Sequence, residues 1–332
     1  DCCPHSNGRG NSMNIVLAGP YPTGTLEHFQ SLLPQHRVTS VLTQEEYDAM
    51  TDAECIIVRI LKTPEAVIEH NPNLKSVIRW GAGYDSVDIE AAGKRGVMVA
   101  NTPGVNAYAV AELTLGLMIV LSRKILGYCH NVQSGNWDRG IYGNASFSLN
   151  YKTVGISGGG NIGRRVAALT QAFGARVQYY DPIRLPGEVE QQHHMTFVPL
   201  DQLLSTSDLI SLHVPLLDST RHMIGAEQLA AMKPSAYLLN TARGGLIDDA
   251  ALLESLQKGH LAGVGLDCVE DENSAVTAQL LQCPNVIITP HIGGTTADLA
   301  DAMIPFIAEK VTSLAKTGTM HDIVNTQWLP RS

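Results

Sequence analysis

Short runs of apolar and β-branched residues alternate with amphipathic stretches along most of this 332-residue chain. Amphipathic, helix-type patterns lie near residues 25–33, 64–70, 161–173 and 248–258. Between them stand strand-type runs such as "MNIVLAG", "ECIIVRI", "LKSVIRW", "TVGIS", "DLISLHVP" and "AYLLNTA". This alternation predicts an α/β fold, in which parallel sheets are covered by helices on both faces.

The chain is longer than one hydrophobic core normally supports, so we expect two domains. A glycine-rich turn at residues 158–163 is preceded by a separate run of strands and helices, and the last helical pattern, residues 295–316, is expected to return to that first part. We predict two Rossmann-like, doubly wound domains. Residues 13–103 and 294–332 form a discontinuous substrate domain, and residues 104–293 form an inserted dinucleotide-binding domain. Residues 1–12 are expected to be an extension outside the fold.

Composition narrows the possible partners and the compartment. The formal net charge is -9, and no cluster of Lys and Arg of the kind that binds nucleic acid is evident. The six cysteines show neither a CxxC pair nor a metal-type spacing, so we expect no metal site and a reducing, cytoplasmic location. The most apolar long stretch, residues 107–122, is too short to cross a bilayer and contains Glu112. We expect it to be a helix buried between domains or subunits.

The glycine-rich turn has the spacing GxGxxG, at Gly158, Gly160 and Gly163, between a strand-type run and a helix-type run. This arrangement is typical of a turn that lets a dinucleotide diphosphate approach the backbone at a helix N-terminus, where Asn161 and Ile162 follow. The next strand ends in Asp181, which suits the ribose hydroxyls of NAD and disfavours the 2′-phosphate of NADP. Because Arg184 lies nearby, NADP is the less favoured alternative cofactor. The alternative interpretation of the motif is a glycine-rich turn that binds no ligand.

Three further segments carry candidate catalytic residues, each after a strand-type run. They are "NTARGGLIDD" with Arg243, "GLDCVEDEN" with Glu272 and "ITPHIGGTT" with His291. Ligand sites in open parallel sheets collect at the carboxyl ends of the strands, so we expect these residues near the cofactor. Each alone also fits a structural role, as a surface arginine, an acidic loop or a capping histidine.

Taken in order, these segments resemble the D-isomer-specific 2-hydroxyacid dehydrogenases. The resemblance extends over nearly the whole chain after Met13, through "GAGYDSVDIEAA", "NTPGVNAYAVAELTLGLM", "GISGGGNIG", "MKPSAYLLNTARGGLID", "GLDCVEDE" and "TPHIGG". It implies that Arg243 binds the substrate, that His291 exchanges a proton with the C2 oxygen and that Glu272 supports His291. Glu270 is the alternative to Glu272.

The resemblance also implies a set of binding residues. The backbone N–H groups of Ala82 and Gly83 are expected to bind the substrate carboxylate. Asp267 and the backbone of Thr241 and Ala242 are expected to hold the nicotinamide carboxamide, and His213 and Pro215 to line the adenine. A homodimer is expected on the same basis.

Three arginines are candidates for binding the substrate. Arg59, Arg79 and Arg139 stand where the phosphoglycerate dehydrogenase branch carries arginines near the substrate phosphate, whereas the alternative gives them structural roles. We therefore expect an NAD-dependent oxidation of a D-2-hydroxy acid, with D-3-phosphoglycerate as a candidate and glyoxylate, hydroxypyruvate or D-lactate-type substrates as alternatives. Compared with longer members of that branch, the given sequence is expected to lack a regulatory domain. A different class remains open, an NAD(H)-sensing, corepressor-like binding protein.

Overall fold

A computed structural model describes residues 12–330, so residues 1–11 of the predicted extension lie outside the described part. The described chain divides into two compact units. The first unit runs to Asn106 and resumes at Thr296, and the second unit comprises Ala107–Thr295. These boundaries fall two to three residues after those predicted from the sequence.

The first unit contains a five-stranded parallel sheet with the strand order β2-β1-β3-β4-β5. Its strands and helices are β1 (Asn14–Ala18), α1 (Thr25–Leu32), β2 (Arg37–Val41), α2 (Gln44–Asp48), β3 (Cys55–Val58), α3 (Glu65–His70), β4 (Ser76–Arg79), α4 (Ile89–Lys94) and β5 (Met98–Ala100). Successive residues of a strand point to opposite faces of the sheet, and in the central strand β3 both faces are buried. This is why β3 has the continuous apolar sequence "CIIV".

The second unit contains a seven-stranded parallel sheet with the order β12-β11-β10-β9-β6-β7-β8. Its elements are α5 (Ala107–Ser122), α6 (Ile125–Gln133), β6 (Thr153–Ser157), α7 (Asn161–Ala172), β7 (Arg176–Tyr180), α8 (Gly187–Gln192), β8 (Thr196–Phe197), α9 (Leu200–Thr206), β9 (Leu209–Leu212), α10 (Ala226–Ala231), β10 (Tyr237–Asn240), α11 (Asp249–Gln257), β11 (Gly263–Leu266), α12 (Ala275–Leu280) and β12 (Val286–Ile288). The order reverses between β6 and β9, the switch point at which such sheets bind ligands. The predicted α/β fold with two doubly wound parallel sheets is confirmed.

The apolar helix predicted over residues 107–122 is α5, and it has exactly those limits. It packs inside the second unit, against α7 and against β10 and β11, where Leu117 and Leu121 lie over Gly265. One face is buried through Val110, Thr114 and Met118, whereas Glu112 is exposed. Its apolar face thus completes the core of its own unit, and burial of the helix between domains or subunits stays a prediction.

The first unit is completed by the end of the described chain. Helix α13 (Leu299–Thr317) buries Met303 and Ile307 in the same core as Phe29 of α1 and Ile57 of β3. The segment that follows pairs with the sheet edge, because Val324 donates its N–H to the carbonyl of Val99 at 2.8 Å. The fully buried side chain of Asn325 accepts a hydrogen bond from the Val99 N–H at 2.9 Å.

No helix within residues 12–330 is both long enough and apolar enough to cross a membrane.

Candidate active site

The glycine-rich turn joins β6 to α7 at the switch point of the second sheet. Gly158 has a φ of 106°, and a Cβ there would lie 2.6 Å from the carbonyl oxygen of His213. A Cβ on Gly163 would lie 2.0 Å from the carbonyl oxygen of Gly158. Side chains are therefore excluded at both positions, which lets helix α7 approach β6 closely.

The middle glycine has a different environment. A Cβ on Gly160 would meet no atom within 4 Å, so the backbone there faces open space. Gly160 is the N-cap of α7, and no side chain caps this helix end. The first-turn N–H groups, at Asn161, Ile162 and Gly163, lie where an anion is favoured by the helix dipole. This turn fits the diphosphate of a dinucleotide.

Asp181 follows β7 and is bonded directly to the glycine-rich turn. One carboxylate oxygen accepts the N–H of Gly159 at 2.8 Å, and the other accepts the N–H of Ile183 at 3.0 Å. A carboxylate has about four acceptor positions, so two remain for ribose hydroxyl groups. Arg184, the residue for which NADP remained an alternative cofactor, forms a bidentate ion pair with Glu190, with N–O distances of 2.8 and 2.9 Å.

That ion pair is itself part of a small network. Arg184 and the Tyr179 hydroxyl both donate to Glu190, and together they lower the pKa of that carboxyl to about 2. The ionised carboxylate of Glu190 therefore holds Arg184 in the segment that follows β7.

His213 follows β9 on the other side of the switch point. Its Nε2 lies 2.8 Å from the Ser211 hydroxyl, and its Nδ1 is a buried atom without a hydrogen-bond partner among residues 12–330. Burial lowers the pKa of this imidazole to about 3, so the ring is neutral at pH 7. A neutral ring with one unpaired nitrogen suits a flat heterocycle such as adenine, whereas Pro215, two residues on, is exposed.

The remaining candidates follow three neighbouring strands. Arg243 comes three residues after β10, Asp267 comes directly after β11, and His291 comes three residues after β12. Because these strands are parallel and adjacent, their carboxyl ends lie along one edge of the sheet. The structure thus places Arg243, Asp267 and His291 at the same edge of the sheet as the glycine-rich turn.

The turn that carries His291 is bonded to Asp267, which is 2% exposed. One carboxylate oxygen accepts the Thr289 hydroxyl at 2.6 Å and the Ile292 N–H at 2.8 Å. The other oxygen accepts the Gly293 N–H at 2.7 Å. His291 itself is exposed and has a positive φ of 54°, a backbone conformation uncommon for a non-glycine residue. Asp267 therefore holds this turn, a role that the sequence did not predict for it.

Arg243 lies in a turn whose backbone is fixed by the side chain of Asn240. The Asn240 side chain donates to the carbonyl of Arg243 at 2.7 Å and accepts the N–H of Ala242 at 3.0 Å. A Cβ on the next residue, Gly244, would lie 2.0 Å from the carbonyl oxygen of Val269. This turn is therefore fitted directly against the segment that leads to Glu270 and Glu272.

Thr241 lies in the same turn and is tied to α5. Its hydroxyl lies 2.8 Å from the hydroxyl of Thr114, which in turn donates to the carbonyl of Val110. Helix α5 therefore supports the region predicted to hold the nicotinamide.

The two candidate glutamates are in different environments. Glu270 accepts hydrogen bonds from Arg221 at 3.0 Å and from His222 at 2.8 Å, and its N–H donates to Asp249. Glu272 is exposed, and its carboxylate forms no hydrogen bond with any residue of the described chain. The expected Glu272–His291 hydrogen bond is therefore not formed in this structure, although Glu272 is the glutamate whose carboxylate is not already held by the protein.

The substrate candidates of the first unit lie after β3 and β4. Arg59 donates from its guanidinium to the carbonyl of Pro20 at 2.7 Å, and Arg79 donates to the carbonyl of Gly83 at 2.9 Å. Ala82 and Gly83 are half-buried in the loop that follows β4. Both arginines thus have structural partners, which is the role that the sequence left open as their alternative.

Arg139 lies apart from the other candidates of the second unit. It is exposed in the loop after α6, where its carbonyl accepts the Tyr128 hydroxyl at 3.0 Å. With Arg123, Tyr128 and Trp137 it lines a cavity of about 530 Å³ that contains none of the residues of the glycine-rich turn.

Several supporting residues were not found from the sequence. Asn240, Thr114 and Thr289 orient the turns of Arg243 and His291, and each is an ordinary polar residue inside or beside an apolar run. Only Thr289 had a sequence signal, since it stands two residues before His291 in the segment "ITPH".

Comparison with known proteins decides the family. Residues 115–293 match the sequence model described as D-isomer specific 2-hydroxyacid dehydrogenase, NAD binding domain. A glyoxylate reductase from Thermococcus litoralis is 38% identical over 276 residues, which are 82% of this chain and 83% of the relative. The chain belongs to the D-isomer-specific 2-hydroxyacid dehydrogenases.

Other members of the family differ in substrate. A D-3-phosphoglycerate dehydrogenase from Methanocaldococcus jannaschii is 38% identical over 321 residues, which are 96% of this chain but 60% of the relative. A D-lactate dehydrogenase from Aquifex aeolicus, solved with NAD and lactic acid, has a TM-score of 0.82 and 28% identity, and covers 93% of this chain and 99% of its own. The chain is therefore an NAD-dependent oxidoreductase of 2-hydroxy acids, and NAD is confirmed as its cofactor.

Proposed function

We propose that this dehydrogenase reduces short 2-oxo acids of the glyoxylate and hydroxypyruvate type to D-2-hydroxy acids. The observation that carries this choice is the engagement of Arg79, whose guanidinium donates to the carbonyls of Val58, Arg59 and Gly83. An arginine used in this way is a poor clamp for a substrate phosphate. The glyoxylate and hydroxypyruvate reductases among the relatives support the same class of substrate.

The proposed mechanism assigns one role to each catalytic residue. Arg243 binds the planar carboxylate with its fork of donors and polarises the C2 carbonyl. NADH, when bound, supplies the hydride to C2, and His291 donates the proton to the C2 oxygen. Glu272 supports the protonated imidazole, because Glu270 is already paired with Arg221 and His222. The N–H groups of Ala82 and Gly83 bind the substrate carboxylate.

For the cofactor, we propose that the turn from Gly158 to Gly163 holds the diphosphate and that Asp181 binds the adenine ribose. His213 and Pro215 would line the adenine. Thr241 and Ala242 would contact the carboxamide, whereas Asp267 acts chiefly by holding the His291 turn.

The first test follows NADH absorbance with glyoxylate, hydroxypyruvate and 3-phosphohydroxypyruvate. The proposal expects kcat/KM for one of the first two to exceed that for the phosphorylated acid. His291→Gln is expected to lower kcat by about 10²- to 10⁴-fold, whereas His70→Gln, an exposed control, retains the activity. A strong preference for 3-phosphohydroxypyruvate would instead make D-3-phosphoglycerate the substrate.

D-3-phosphoglycerate, the second candidate substrate, is supported by two observations. The phosphoglycerate dehydrogenase relative aligns over 96% of this chain, and Arg59 and Arg139 both lie at or near exposed surfaces. Arg59→Ala and Arg139→Ala should then reduce kcat/KM for the phosphorylated acid alone.

We also propose that the enzyme is a homodimer in the cytoplasm with no nucleic-acid partner. A run of exposed apolar side chains lies on α6 and the loop after it, at Ile125, Leu126, Val132, Trp137 and Ile141. Exposed apolar side chains close together in the sequence support an interface at this part of the chain. Light scattering should give twice the chain mass, and Leu126→Glu should reduce it. The net charge of -9 and the free thiols of Cys55, Cys129, Cys268 and Cys283 support the other two expectations.

A further inference from the structure

We propose that Arg79, Asn101 and Thr102 are positioning residues that hold the loop 81–83 in the conformation that binds the substrate carboxylate. This inference rests on the proposed function of that loop. It assigns Arg79 an action through the protein backbone, in place of the contact with a substrate phosphate expected from the sequence.

The loop starts from a fixed point. Trp80 directly follows β4, donates its N–H to the carbonyl of Val58 at 2.9 Å and is 6% exposed. Its ring packs edge-on against Tyr21, with ring centroids 5.1 Å apart. The residue before Gly81 is therefore held by both its backbone and its side chain.

Each carbonyl of the next three residues has a specific partner. The N–H of Thr102 donates to the carbonyl of Gly81 at 3.1 Å, and the Asn101 amide donates to that of Ala82 at 2.6 Å. The Arg79 Nε donates to the carbonyl of Gly83 at 2.9 Å. The three successive carbonyl groups are thus fixed by donors from β4 and from the segment after β5.

The N–H groups of the loop, unlike its carbonyl groups, are only partly hydrogen-bonded within the protein. The N–H of Gly81 donates to the Thr102 hydroxyl at 2.8 Å. Within residues 12–330, however, the N–H groups of Ala82 and Gly83 have no protein acceptor. Fixing a peptide carbonyl also fixes the direction of the N–H on the far side of the same peptide plane. The bonds to Gly81 and Ala82 therefore orient the two N–H groups that an anion would use.

The holding residues are themselves protected from water. Thr102 is fully buried and Asn101 is 9% exposed, so water competes little for these hydrogen bonds. The Arg79 guanidinium also links the loop to the end of β3, because it donates to the carbonyls of Val58 and Arg59 as well. A lysine has the same charge but lacks the planar fork that reaches several carbonyls together.

The test compares Asn101→Ala, Arg79→Gln and Arg79→Lys with the wild type. Asn14→Ala is the matched control, because the Asn14 amide also donates to a backbone carbonyl, that of Asp52, but at the opposite end of the sheet. We measure kcat/KM for hydroxypyruvate and 3-phosphohydroxypyruvate, the Kd of oxamate for the NADH complex and the Kd of NADH. Hydrogen exchange of the peptide 80–86 is measured without ligand.

The proposal expects the three variants to lower kcat/KM for both acids by the same factor, about ten- to hundredfold, and to weaken oxamate binding. The Kd of NADH should not change, exchange of the peptide should become faster, and Arg79→Lys should not rescue the loss. A loss confined to the phosphorylated acid, or rescue by lysine, would overturn the proposal, because Arg79 would then act on the phosphate.

Failure of the proposed function gives a different result. If the wild type reduces none of the 2-oxo acids, the function is wrong, and the exchange data alone then decide on the loop. Unchanged exchange in Asn101→Ala would reject the positioning role, whereas faster exchange at peptide 80–86 would retain it.

Discussion

The buried carboxylate of Asp267 holds both sides of the turn that carries His291. It accepts hydrogen bonds from Thr289 on one side and from Ile292 and Gly293 on the other. The proposed proton donor is therefore exposed at the tip of a turn whose base is fixed by a buried charge. Such support is needed where a reacting group must be held within a fraction of an ångström.

Asp267→Asn is expected to loosen this turn, because the amide replaces one of the two acceptor oxygens with a donor. We expect kcat to fall roughly ten- to hundredfold and the free energy of unfolding to fall by about 1–3 kcal/mol. Steady-state kinetics and urea unfolding test both effects. Asp201→Asn, an exposed aspartate of the same unit, should change neither, and full activity in Asp267→Asn would refute the role.

Glu272 and Glu270 form a natural pair of test positions. Glu272→Gln should lower kcat by about tenfold or more, because His291, the proposed proton donor, then loses the carboxylate proposed to support it. Glu270→Gln should leave kcat within a few-fold and instead reduce stability, through its bonds to Arg221 and His222. Steady-state kinetics and urea unfolding of both variants test this, and the reverse pattern would exchange the two assignments.

Much of the fold was predictable because its strands are buried and apolar. The strands β3, β6, β9 and β10 were all found from such runs. β2 was missed, since it is an edge strand in which only Val38 is fully buried, and β8 was missed because it has two residues. An edge strand with mixed exposure gives no clear period, so its sequence does not distinguish it from a loop.

The sequence identified the candidate site residues but not the hydrogen bonds that hold them. Gly158, Asp181 and Arg243 were found from spacing and from the family resemblance, and the structure places them at one sheet edge. The partners of Asp267 and Arg79 were not foreseen, because a hydrogen bond to a backbone carbonyl or N–H from a distant strand leaves no pattern in the sequence.

The proposed role of Asp181 is to select NAD over NADP. Asp181→Ala should weaken NADH binding by about ten- to hundredfold, since charge-assisted hydrogen bonds are lost. Binding of NADPH should be unchanged or tighter, because a negative charge that repels the 2′-phosphate is gone. Fluorescence titration with each cofactor measures the ratio, and an unchanged preference for NADH in Asp181→Ala would contradict the assignment.

His213 makes stability depend on pH. Burial lowers its pKa from 6.5 to about 3, so between these values the unfolded chain binds a proton that the folded chain does not. Stability should fall as the pH drops below 6.5, with about 2 kcal/mol of the loss at pH 5 due to this group. Urea unfolding of the wild type and of His213→Gln at pH 7 and pH 5 tests this, and equal losses in both proteins would exclude His213 as the cause.

Helix α13 carries a consequence for the order in which the protein forms during synthesis. The ribosome delivers β1 to β5 first, but the helix that covers Ile57 and Phe29 follows only after the whole second unit. The inserted unit, residues 107–295, is complete in sequence before α13 emerges, so it can fold while one face of the first sheet still exposes apolar side chains. The first unit, whose strands are synthesised first, is thus the last to complete its hydrophobic core.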